Sequence, residues 1–409
     1  MPTRREFLTT AGAVALAGAG GWLPSQAVLA GELGPAELPA GALAVARLEA
    51  LPGKLPLIKK TWRPPNFETP VRYFDQAFTP NDAFFVRYHL ANIPQVDAAS
   101  WRLAVTGTGV QKPFEIGLET LQREFEVVEQ PAVCQCSGNR RGLSKPHVPG
   151  VQWGYGAMGN AMWRGVRLKD LLTRAGLKAE AIEIAFDGAD TGVRSATPDF
   201  QKSLPAWKAM DEDTLVAFEM NGQALPHWNG YPARLVVAGW TATYWVKHLT
   251  TISALDQPMK GFWMNPAYRI PKGKFALVDR FFSQETETNT PITEMVVNSL
   301  ITNLDANATA RAGDVVDVRG IAWDGGYGIA QVEASHDGGE TWRRTELTPE
   351  IGRFSWRQWR YRFRPEKAGL YTLAAKATNR IGASQAFDLV FNPAGYHNNV
   401  VQRVDLIVT

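Results

Sequence analysis

The chain has 409 residues, 45% hydrophobic and 20% charged, with a formal net charge of +3. That apolar content excludes a chain too polar to bury a core, and the length exceeds the ~100–200 residues of one ordinary domain, so two are expected. No basic run points to nucleic acid, and a charge this small says little about partners. Cys134 and Cys136 lie two residues apart, where a disulfide would be strained and where the four ligands of a structural zinc site are not met. No Cys-x-x-Cys-His run is available for covalent haem. Any redox chemistry therefore needs a bound cofactor here and an electron carrier elsewhere.

The chain opens with Thr3-Arg4-Arg5-Glu6-Phe7-Leu8, an Ala/Gly-rich apolar run from Ala11 to Leu23, and a small-residue stretch, Ala27 to Ala30. This is the layout of an export signal whose twin arginine points to the Tat route. The apolar run is shorter than the ~20 residues a membrane span needs. Residues 1–30 are therefore expected to be a cleaved signal and the mature protein to be periplasmic, with no membrane segment. Residues 31–75, rich in Pro, Leu, Ala and Gly, read as a loosely ordered arm wrapped on a domain.

From about Asn81 to Met259 short strands alternate with helices. Strands are predicted at 84–89, 182–186, 214–219 and 234–238, and helices at 118–125 and 168–175. Mixed order of this kind argues for an α+β domain. After Pro271 the apolar runs become short, β-rich and bounded by turn residues. Asp337-Gly338-Gly339 reads as a tight hairpin between 331–335 and 341–343, and 357–362 and 371–376 continue the alternation. About seven such strands suggest an immunoglobulin-like sandwich. The division is predicted at 31–280 and 290–409, with the boundary between Arg280 and Thr290.

The most informative stretch is Cys134-Gln135-Cys136-Ser137-Gly138-Asn139-Arg140-Arg141, which follows a strand-like apolar run. A thiolate is a soft, strong metal ligand, and paired guanidiniums suit oxyanions or phosphates. Arg87 and His89, two apart on a predicted strand, would project from one face and share one site. On position alone they could equally be solvated strand residues.

The Cys136-Ser137-Gly138-Asn139-Arg140-Arg141 string resembles the molybdenum-binding signature of the sulfite oxidase family, and the resemblance extends over most of residues 75–409. It implies a molybdopterin-binding domain of the sulfite oxidase fold, followed by a dimerisation domain. It also implies a molybdenum–molybdopterin cofactor whose metal is ligated by Cys136, with no haem on this chain. The segment 81–89 is similar to the family strand whose arginine and histidine, here Arg87 and His89, reach the metal centre. Trp153 stands where the family has a pocket-wall tryptophan, and Asp190 where a residue contacts the pterin. Arg234 and Lys247 resemble the cations that hold the pterin phosphate and its surroundings. Asn229 occupies a position often taken by histidine, with His227 close by. Tyr268, in Asn265-Pro266-Ala267-Tyr268-Arg269, stands where the family has its active-site phenol. By this resemblance Arg87 and Arg141 would hold an anionic substrate, with His89, Trp153 and Tyr268 orienting it.

One departure bears on substrate. Many sulfite-oxidising members bring a further arginine from near the end of the β domain, whereas residues 391–399 here contain none. In that respect the chain looks more like the molybdenum subunit of bacterial sulfur dehydrogenases. The resemblance thus implies oxidation of sulfite or of carrier-bound sulfur, a c-type cytochrome as electron acceptor, and a homodimer. A molybdenum sulfoxide reductase is the nearby alternative, disfavoured by the β-rich C-terminal region that such relatives typically lack. An exported non-catalytic binding module is the alternative of another class, disfavoured by the clustered Cys136, Arg140 and Arg141.

Overall fold

A computed structural model describes residues 31–32, 47–272, 289–305 and 308–409. The expected signal, residues 1–30, and most of the expected domain boundary lie outside the described residues. Among the described residues no helix is long and apolar enough to cross a membrane.

The N-terminal unit is built on three sheets. In the first, the strands Leu57–Thr61, Asn66–Glu68 and Val86–Arg87 pair antiparallel. The segment read as a loose arm is therefore an integral sheet within its described part, and Leu51, Leu57, Phe67, Val86 and Tyr88 form its own small core. Prolines at 56, 64, 65 and 70 interrupt the strand pattern, which is why periodicity did not reveal it. The strand expected at 84–89 is short, because after Arg87 the amide of Tyr88 turns to the carbonyl of Pro65.

The second sheet sets Glu183–Gly188 between Lys202–Pro205 and Leu249–Leu255, and the latter pairs in parallel with Leu103–Thr106. The third pairs Val127–Gln135 with Met158–Arg167 along its whole length. Thr214–Met220 then joins Met158–Arg167 to Arg234–Val237. Helices Leu118–Glu124 and Leu168–Arg174 bury Leu121 and Leu168, Leu171 and Leu172 respectively. The apolar faces of these elements share one core.

The C-terminal unit is a pair of sheets over a second core that includes Val318, Val332, Trp359, Leu373 and Leu406. Gln402–Val408 alternates buried and exposed residues throughout, the period of a strand with one face inward. The expected tight hairpin at 337–339 is a longer connection: Ile329–Ser335 meets only Arg343–Arg344. The Asp337 carboxylate accepts from the Thr341 amide and hydroxyl, and this local turn displaces the ladder.

A third core joins the two units, with Phe74, Val133 and Met158 packed with Leu300, Trp323 and Trp356. Across this seam the Trp323 indole donates to Gln135 Oε1 at 2.6 Å, and the Val133 amide donates to the Phe354 carbonyl at 2.9 Å. The strand that delivers the two cysteines is thus clamped by the C-terminal unit.

Candidate active site

Strand Val127–Gln135 ends by turning Cys136 into a tight loop. The Cys136 amide donates to the Ala157 carbonyl, the Asn139 amide donates back to the Cys136 carbonyl, and Asn139 Oδ1 accepts from Ala157 N at 3.1 Å. These bonds fix the loop whatever the cysteine side chain does. Cys136 faces a pocket that Arg87, His89, Asn229, Arg234, Lys247 and Tyr268 also line. Residues spread from 87 to 268 therefore converge on one site beside the Cys136 thiol.

Arg87 and His89 reach the pocket while Tyr88 between them turns away to His248, whose Nε2 lies 2.7 Å from the Tyr88 hydroxyl. His248 Nδ1 lies 2.7 Å from the Tyr231 carbonyl, and burial holds this imidazole down to about 3. A neutral ring that donates from Nδ1 and accepts at Nε2 satisfies both contacts. Lys247 stacks on Tyr88 at 4.2 Å and donates to the Arg87 carbonyl at 2.8 Å.

Tyr268 takes a left-handed backbone, φ 59°, unusual for a residue with a side chain. Its hydroxyl meets His89 Nε2 and lies 3.4 Å from Arg87 Nη2. Burial raises the phenol, while burial and then the nearby cations Arg87, Lys247 and Lys202 lower His89 well below its usual range. Both groups are neutral near pH 7, so the phenol donates and the imidazole accepts.

The pocket is electrically unbalanced. Arg87 Nε and Arg234 Nε are buried without a partner, and burial lowers Lys247 to about 8. Asp190, itself raised by burial and lowered by Lys247, does not line the pocket. Buried guanidinium N–H groups without a partner are costly, and an anionic ligand would satisfy them. Among the described residues no group of three or more His, Cys, Asp or Glu could hold a metal ion. A metal bound here through one thiol would have to bring most of its other ligands with it. A phosphate-bearing, metal-chelating cofactor meets both demands.

Besides Asp190, two further expected site residues stand elsewhere. Trp153 is fully buried in the main apolar core and does not line the pocket. Arg141 also stays off the pocket wall: its Nε donates to the Ala394 carbonyl at 3.0 Å and its Nη1 to the Val151 carbonyl at 3.3 Å. Its neighbour Arg140 donates from Nη1 to Val400 O and from Nη2 to Ser299 O, each at 2.8 Å. The paired guanidiniums, read as an oxyanion site, grip main-chain carbonyls of the C-terminal unit.

Other residues went unnoticed in the sequence. Phe200 lines the pocket and stacks on His89 at 3.7 Å, and no sequence signal marked it. Trp228 and Trp245 are also lining residues, and adjacency to Asn229 and Lys247 could have drawn attention to them. Cys134 lines the pocket too, and its thiol, pushed up to about 11 chiefly by burial, lies 3.8 Å from Arg234 Nη2. On the arm, Lys54 donates to Asn229 Oδ1 at 2.6 Å and so braces a pocket residue.

Lys202 is buried beside the pocket, 5.1 Å from the Tyr268 ring, and donates to the Trp263 carbonyl at 2.6 Å. Burial lowers it from 10.5 to about 7. Between those two values the unfolded chain binds a proton that the folded protein does not, so this group makes stability rise with pH from about 7 towards 10. Melting curves of the wild type and Lys202→Met between pH 6.5 and 9.5 should therefore converge or cross, the wild type gaining relative to the variant. Parallel curves would mean that the ammonium keeps its water.

Comparison with known proteins agrees with this geometry. Residues 89–263 match the model of the oxidoreductase molybdopterin binding domain, and residues 289–409 that of the Mo-co oxidoreductase dimerisation domain. These matches define a molybdopterin oxidoreductase with a separate β-rich dimerisation domain. The chain is 33% identical to sulfite oxidase of Gallus gallus over 343 residues, covering 80% of this chain and 73% of that one. It is 34% identical to mitochondrial sulfite oxidase of Rattus norvegicus over 309 residues, covering 73% of this chain but only 55% of the rat protein. The crystal structure of sulfane dehydrogenase SoxCD from Paracoccus pantotrophus superimposes with a TM-score of 0.71 at 26% identity, covering 86% of each chain. The chain belongs to the sulfite oxidase family of molybdopterin oxidoreductases, and that membership implies a molybdenum–molybdopterin cofactor.

Proposed function

We propose that this protein oxidises sulfite or a carrier-bound sulfur species and passes the electrons to a c-type cytochrome. The observation that carries this reading is the pocket thiol of Cys136, set among the cations Arg87, Arg234 and Lys247, with Arg87 Nε and Arg234 Nε buried without a partner. When bound, the molybdenum–pterin cofactor supplies the two-electron redox and oxygen-transfer chemistry that side chains lack. Cys136 would ligate the metal. Asn229, Arg234 and Lys247 would hold the pterin and its phosphate, and Asp190 would contact the pterin beside Lys247.

Arg87, whose Nε is buried without a partner, would meet a substrate oxyanion, and its main-chain carbonyl accepts from Lys247. Tyr268 and His89 would orient that anion, the Tyr268 hydroxyl donating to His89 Nε2 until a substrate or product oxygen takes that hydrogen bond. The aromatic surfaces of Phe200, Trp228 and Tyr268 exclude water and strengthen charge-assisted bonds inside.

We read the two-sheet C-terminal unit as an immunoglobulin-like sandwich that pairs two copies of the chain, a reading supported by the dimerisation-domain match. Domains at 31–280 and 290–409, Tat export and a periplasmic location belong to the same proposal, the last two supported by the twin arginine Arg4-Arg5 and the apolar run after it.

The test is molybdenum analysis with steady-state sulfite oxidation, using ferricyanide or cytochrome c as acceptor. Stoichiometric molybdenum with fast turnover is the expected result for free sulfite. Stoichiometric molybdenum without turnover would assign the carrier-bound substrate, and protein lacking molybdenum from a cofactor-competent host would sink the reading. In an active preparation, Arg87→Met should raise KM for sulfite about 10–100-fold, the loss of one charge-assisted contact at roughly 1.5–3 kcal/mol. An unchanged KM would remove Arg87 from the substrate.

A further inference from the structure

The C-terminal unit meets the active-site phenol through the ring of Tyr396. Tyr396 is buried, and its ring stacks on that of Tyr268 with centroids 5.7 Å apart and planes 14° from parallel. The Arg141 guanidinium lies 5.2 Å from the Tyr396 ring on another side, while its Nε is held by the Ala394 carbonyl. The turn that presents these groups is closed by Asn392, whose carbonyl accepts from the Gly395 amide and whose Oδ1 accepts from the Ala394 amide.

Glycine is required in this turn. Gly395 has φ 65°, and a Cβ there would stand 2.7 Å from Arg141 Cγ and 2.6 Å from Val148 Cγ2. On the other side of the guanidinium, a Cβ on Gly138 would stand 2.5 Å from Arg141 Nη1. Arg141 thus occupies a fitted socket made by the cysteine loop and the C-terminal turn.

We propose that Arg141 and Tyr396 are an interdomain positioning pair: Arg141, held in that socket, keeps Tyr396 flat against Tyr268 and so sets where the Tyr268 hydroxyl stands in the pocket. This rests on the functional reading above for what the hydroxyl does, but not for the contact itself. Tyr268 then has two ring supports, the Tyr396 ring and the Lys202 ammonium, while His89 and Arg87 engage its oxygen. Arg141 acts through Tyr396 and does not bind the substrate.

The experiment is a set of double-mutant cycles on the purified full chain, read by sulfite kinetics and by thermal denaturation. Tyr396→Leu should lower kcat/KM at least fivefold, and Tyr396→Phe, which keeps the ring, should restore it to within twofold. In a Tyr268→Phe background Tyr396→Leu should cost nothing more, because the hydroxyl it positions is gone; a merely structural role would add its loss there. Arg141→Met should reproduce the Tyr396→Leu loss without adding to it.

Wild-type kinetics for Tyr396→Leu, or fully multiplicative losses in either cycle, would overturn the proposal. So would a tenfold rise in KM with unchanged kcat for Arg141→Met, which would put Arg141 on the substrate. If the wild type does not turn over sulfite, the functional reading for free sulfite fails separately and the cycles are read from melting temperature. Non-additive shifts for Arg141→Met with Tyr396→Leu, and for Tyr396→Leu with Tyr268→Leu, would then uphold the pair, and additive shifts would overturn it.

Discussion

Cys136→Ser should abolish sulfite oxidation, by at least ~10³-fold in turnover, or about 4 kcal/mol of barrier. A serine hydroxyl is a hard donor that stays protonated at neutral pH, whereas the reaction centre needs a soft thiolate. The fold should survive, because the loop is held by main-chain bonds from Cys136 to Ala157 and Asn139 that do not involve the sulfur. The check is turnover beside melting temperature and molybdenum content. A melting temperature within ~2 °C of wild type with lost activity is the expected pair, and turnover within tenfold of wild type would remove Cys136 as the ligand.

The second large effect should come from Arg140, four residues further on and outside the pocket. Its side chain is 1% exposed and sits between the rings of Tyr155 and Trp323, at 5.0 and 6.0 Å. Two of its nitrogens donate to the carbonyls of Ser299 and Val400, and its own carbonyl accepts from Asn398 Nδ2 at 3.1 Å. Burial lowers it only to about 10, so it remains charged at neutral pH. Arg140→Met would remove two charge-assisted bonds, the one to Ser299 fully buried, at a cost of about 3–5 kcal/mol. The expected result is a lowered urea midpoint with faster proteolysis of the C-terminal unit. A midpoint unchanged from wild type would show that the staple contributes little.

Both predictions concern the same eight-residue stretch, and it divides what was readable in the sequence from what was not. Cys136, Arg87, His89, Asn229, Arg234, Lys247 and Tyr268 were marked by short local signatures, and the fold brings all of them to one pocket. The two helices and the strands at 183–188, 214–220 and 234–237 were also readable, because each is a continuous run whose apolar spacing matches its own period. The N-terminal sheet was not, since its strands are short and broken by proline. The hairpin around 337 was legible as a pairing, but its turn is longer than expected because side-chain bonds to Asp337 shape it. Trp153 illustrates a further limit: a tryptophan beside glycines can wall a cleft or fill a core, and only the packing distinguishes the two.

By itself the sequence determined the chemistry available to this protein: one placed thiol, a set of cations for an anionic cofactor, a phenol, and a β-rich second unit behind a mixed first one. Tertiary structure alone decided where the long side chains point. Arg140 meets a carbonyl 260 residues away and Arg141 one 253 residues away, and Tyr396 meets Tyr268 from the other unit. A guanidinium goes to whichever acceptors lie within reach once water has been excluded, and those acceptors are main-chain carbonyls whose position no local pattern encodes.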